Sequence, residues 1–162
     1  MIIGEVFNEA TLPVALQRGL IAIRDRVLPN ASVVAIDGNF VILSIGTMTQ
    51  PARREALPDA ADANLPEAYV EDKAMLFARV SRNFPNAESY GVITLPYLTR
   101  RDGRAIEWQH RNNANAAAVT EAFDRADVGF WSWNWQGAPC RIPEDLAAVV
   151  EWGRRCVREG AI

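Results

Sequence analysis

The sequence predicts an α+β fold: a mostly antiparallel sheet built from two helix-hairpin units, with helices packed mainly on one face. Three observations lead there. Apolar residues recur at helical spacing over 12–28, 66–84 and 113–125, and again from 143 onward. Between these windows lie short runs rich in valine, isoleucine and aromatic residues, two of them meeting at Asp37-Gly38 and Asp102-Gly103, which are turn formers. The 162 residues are 49% hydrophobic and 23% charged, which suits one core and a single domain over 1–162.

Residues 2–7 offer a short edge strand. The first helix is expected over 12–28, because Leu16, Leu20, Ile23 and Val27 fall on one face; Thr11 suits its N-cap and Pro29 ends it. A hairpin follows, with strands over 32–37 and 40–46 around Asp37-Gly38-Asn39. Residues 46–66 change character: three prolines, small residues and aspartates leave little to bury, so this stretch reads as a surface loop with one helical turn over 52–57. A second helix is expected over 66–84, with Val70, Ala74, Phe77 and Phe84 on one side. Strands over 90–98 and 105–109 would then form a second hairpin around the 101–104 turn.

An internal echo reads as a recurring helix-to-strand connector or, alternatively, as an ancient duplication of a helix-hairpin unit. LIAIRDRVLPNA over 20–31 and LFARVSRNFPNA over 76–87 share several positions, and each precedes a predicted hairpin. A third helix is expected over 113–125 and a strand over 128–136. The last helix starts at Pro143, with Glu144 and Asp145 in its first turn and Arg154, Arg155 and Arg158 toward its end. That order of charges complements the helix dipole.

Composition narrows the function classes. No apolar run reaches the ~18 residues of a membrane span, and the first residues lack the basic and apolar regions of a secretory signal, so a cytoplasmic protein is expected. The net charge of −3 gives no general attraction to nucleic acid. Only one histidine is present, and Cys140 and Cys156 have neither metal-ligand spacing nor a disulfide framework. No cofactor and no metal site are expected. Of 17 basic residues only Lys73 is lysine.

Three groups of residues are candidates for function. In VGFWSWNWQ, Trp131, Trp133 and Trp135 occupy alternate positions, so a strand would place all three indoles on one face. Such a row is either core under the helices or an aromatic docking surface. Base stacking would need a cationic groove, whereas the flanking charges are Asp124, Asp127, Glu144 and Asp145. Arg100, Arg101 and Arg104 cluster at the second turn, where guanidinium groups either solvate the turn or bind acidic groups bidentately. Cys140 lies between a strand end and a helix start; with His110 as base, Asp127 as its orienter and Gln136 as oxyanion donor, it has the residue types of a thiol acyl-transfer or peptidase-like enzyme.

The leading expectation is a non-enzymatic protein-binding module of the inhibitor, chaperone-like or assembly-factor kind. It would use the aromatic surface around Trp131–Trp135 to engage a protein partner or a second copy of itself. The thiol enzyme is the alternative.

Overall fold

A computed structural model describes residues 7–51, 64–87, 91–132 and 140–162. Its strands are β1 (Ser32–Asp37), β2 (Phe40–Thr49), β3 (Lys73–Ser81), β4 (Val92–Leu95), β5 (Gln109–His110) and β6 (Gly129–Trp131). Its helices are α1 (Val14–Arg26), α2 (Ala117–Phe123) and α3 (Leu146–Glu159), with 3-10 turns at Glu9–Thr11, Ala114–Ala116 and Pro143–Asp145. The six strands form one sheet in the order β1-β2-β3-β4-β6-β5, antiparallel throughout. The α+β class with a mostly antiparallel sheet therefore holds. Among the described residues, no helix is long and apolar enough to cross a membrane.

Strand alternation sorts the core into two layers. Val41, Leu43, Leu76, Ala78, Val80, Val92 and Trp131 face α1 and α3, which cover them with Leu16, Leu20, Ile23, Leu146, Val149, Val150 and Val157. Ala35, Ile42, Phe77, Ile93 and Phe130 face the other way, under Ala118 and Val119 of α2. Two of the three helices thus share one face. The α1–α3 contact is close: a Cβ on Gly19 would lie 2.7 Å from Leu146 Cδ2, so only glycine lets these helices meet as they do.

The β1–β2 hairpin turns at Gly38, whose φ of +58° suits glycine, and Asp37 pairs with Phe40. At the start of α1 the expected cap is replaced. The Thr11 hydroxyl donates to the Asn8 carbonyl within the preceding 3-10 turn, and Pro13 stands before Val14. Asp145 anchors the entry to α3 by accepting N–H bonds from Arg141 and Ile142 at 2.8 and 3.0 Å. Those two donors hold its carboxyl below the usual range.

The second helix-hairpin unit is corrected in two places. The segment read as a helix over 66–84 holds strand β3, which lies inside the sheet between β2 and β4. Ala74 faces α1 and α3 whereas Phe77 faces α2, and Val70 is exposed, so the supposed helical face does not exist. A strand buried on both sides presents a near-continuous apolar run, which spacing alone does not separate from a helix. The 20–31 and 76–87 echo accordingly has no structural counterpart, since one copy is largely helix and the other largely strand.

The second hairpin is also rearranged. β4 and β5 do not pair with each other, because β6 is inserted between them. Gln109 accounts for the backbone that a direct hairpin would have satisfied: its amide accepts from Leu98 N–H and donates to Leu98 C=O, both at 2.8 Å. The expected loop over 46–66 begins later than predicted, because β2 continues to Thr49. The edge strand read over 2–7, except for Phe7, and the helical turn over 52–57 lie outside the described residues.

Candidate functional site

Trp131 is an interior residue. It is fully buried beneath α1 and α3, and its indole N–H donates to the Thr94 hydroxyl at 2.8 Å. Burying such a ring removes on the order of 150–250 Å² from water, roughly 4–6 kcal/mol as an upper estimate. The alternation read from the sequence therefore holds through Trp131, with Phe130 on the opposite face, and it directs this ring into the core. Trp133, Trp135 and Gln136 lie outside the described residues.

The arginine turn divides into inward and outward parts. Arg100, nearly enclosed at 9% exposure, forks onto Asp102 through Nε at 2.9 Å and Nη2 at 2.5 Å. Its Nη1 donates to the carbonyls of Gly160 and Ile162 at 3.2 and 2.5 Å, just past α3. The Tyr69 hydroxyl also donates to the Val157 carbonyl, and burial raises the Tyr69 pKa. Arg100 thus fastens the segment after α3 to the connection between β4 and β5. The Arg100 guanidinium, with the Arg104 N–H, holds the Asp102 carboxyl far below its ordinary range. Arg101 donates from Nε to the Glu67 carbonyl at 2.8 Å, and the Arg104 side chain remains 78% exposed.

The proposed thiol group is not assembled. In the β5–β6 register His110 pairs with Phe130, which puts it on the α2 face, where its Nε2 lies 2.6 Å from Ser132 Oγ. Cys140 packs, partly buried, against the core layer beneath α1 and α3. Asp127 is engaged elsewhere: Arg125 grips both carboxylate oxygens at 2.8 and 2.6 Å and lowers its pKa. Among the described residues no three histidine, cysteine, aspartate or glutamate side chains converge as a metal site would require.

Two surface features were not read from the sequence. The first is a cleft of about 420 Å³ on the part of the sheet that α2 leaves open. Met75, Leu95 and Pro96 give it an apolar floor, and Glu71, Asp72, Lys73 and Arg125 give it walls of balanced charge. The second is the outer stripe of α1, where Val14, Arg18, Ile21 and Asp25 follow at steps of four, three and four. Val14 is 69% and Ile21 55% exposed, on the same side of α1 as Arg18 and Asp25. Arg18 is held by Glu144 of the turn before α3, with Nε and Nη2 each 2.8 Å from a carboxylate oxygen. Beside this pair lies a depression of about 250 Å³ with buried Ala22 among its lining residues. Exposed Ile142 belongs to the same connection into α3. The signal for this stripe was present in the sequence: Val14 and Ile21 are apolar yet fall off the Leu16–Leu20–Ile23 face. Compared with known proteins, the chain matches no family model, no curated protein and no solved structure.

Proposed function

We propose that this chain is a non-enzymatic protein-binding module of the cytoplasm. The observation that carries the reading is the pair of exposed apolar side chains, Val14 and Ile21, on the outward stripe of α1. Apolar side chains flanked by charges are the composition of a small docking surface. One further fact supports it: neither cysteine is in a disulfide, as in a reducing compartment. The tryptophans Trp133 and Trp135, which follow buried Trp131 in the sequence, are a second candidate contact region.

The test places a photo-crosslinking amino acid at one position at a time: Ile21, Trp135 and exposed Arg82, distant in sequence from both. Irradiation in native cell extract should give discrete protein adducts at Ile21, at Trp135 or at both, above the yield at Arg82. Equal yields at all three positions, or none, would overturn the reading. Adducts confined to Trp135 would move the surface from α1 to the region of Trp133 and Trp135.

A further inference from the structure

The geometry points to a second copy of this chain as the occupant of the α1 stripe, in an antiparallel helix pair about a two-fold axis. This inference rests on the protein-binding reading and names its partner. Around the middle of the helix its order is Arg18, Ile21, Asp25, all three exposed. Read backwards, the same order is acidic, apolar, basic. A surface with that symmetry complements itself when rotated by half a turn, which is what a two-fold interface demands.

An axis passing between positions 21 and 22 fits the helix dimensions. Arg18 and Asp25 then lie about 5 Å on either side of it along α1, so each Arg18 meets the other copy's Asp25. Ile21 sits at the centre, facing Ala22 and the depression of about 250 Å³ beside it. Val14 falls about 11 Å from the axis along α1. Charge supply agrees with the arrangement. Glu144 occupies Nε and Nη2 of Arg18 and leaves Nη1 for a second carboxylate, while Asp25 makes no ion pair among the described residues. A parallel pair would instead set Arg18 beside Arg18.

The contact is small. A helix of 13 residues is about 20 Å long, so a single helix pair buries less than the ~1,200 Å² of ordinary stable complexes. Association is accordingly expected in the range of roughly tens to hundreds of micromolar.

Sedimentation velocity from about 10 µM to about 1 mM tests the inference on the whole chain. The wild type should pass from one to two copies across this range, and Ile21→Asp should stay monomeric. Asp25→Arg should weaken association about tenfold, because two attractive contacts become repulsive. Arg18→Glu combined with Glu144→Gln, which avoids like charges within one chain, should weaken it similarly. Mixed in equal amounts, these two variants should form a heterodimer, since one stripe then carries only arginine and the other only acid. A wild type that is monomeric throughout overturns the inference, as does an unaffected Asp25→Arg or a mixture no better than its parts. Circular dichroism and thermal melts of each variant separate lost association from lost folding. Monomeric behaviour together with crosslinks from Ile21 to a different protein would remove the second copy and leave the binding reading intact.

Discussion

The indole of Trp131 and the hydroxyl of Thr94 form a donor–acceptor pair at 2.8 Å, and both residues are fully buried. Thr94→Val keeps the shape and removes the acceptor, leaving a buried N–H without its partner. The expected cost is about 1–3 kcal/mol. In urea the midpoint should fall while the slope is unchanged, because the fold and the surface exposed on unfolding stay the same. An unaltered midpoint would mean that the indole finds another acceptor.

Gly153 gives α3 its close approach to β4. A Cβ there would lie 2.4 Å from Val92 Cγ1, well inside contact distance. Gly153→Ala should therefore destabilise the protein by about 1–3 kcal/mol despite its better helix propensity. Combining it with Val92→Ala should recover part of that loss, so the two changes will be non-additive in a double-mutant cycle. Additive costs would show that the helix shifts as a body instead.

The two thiols should behave differently. Cys156 is fully buried and Cys140 only partly, so one equivalent of a thiol reagent should react in the native state and two after denaturation. Burial first, and then Glu159, push the Cys156 thiol up to about 12. The unfolded chain releases this proton near the ordinary value of ~8.5, so it is the native state that holds the proton at higher pH. The resulting stability is fully present below the unfolded value and declines as pH rises toward about 12. Cys156→Val should flatten the loss of stability in this window. An identical slope in wild type and variant would place the alkaline sensitivity elsewhere, with Tyr69 the next group to examine.

The elements that could be read from sequence were those with one buried side or with a turn signal of their own. α1 and α3 carry their apolar residues at helical spacing on a single face, and Asp37-Gly38-Asn39 announces the first hairpin. β3 could not be read in the same way, because leucine, phenylalanine, alanine and valine serve both of its faces and the resulting run suits a helix equally well. The insertion of β6 between β4 and β5 depends on pairings made across the chain, which no local window contains. For the candidate site, the alternation through Trp131 was legible, but its direction into the core was not. That direction is set by α1 and α3, which lie on the same side of the sheet. The exposed side of α1 was there to be read as the apolar residues, Val14 and Ile21, that fall off the Leu16–Leu20–Ile23 face.

The contact between α1 and the entry to α3 has a consequence for how this protein is made. Arg18 and Glu144 are 126 positions apart, and the Gly19–Leu146 contact lies beside them. At translation speeds of about 5–20 residues per second, the greasy side of α1 waits roughly 6–25 s before its companion helix leaves the ribosome. During that interval α1 has the strands of β2 and β3 to pack against but not α3.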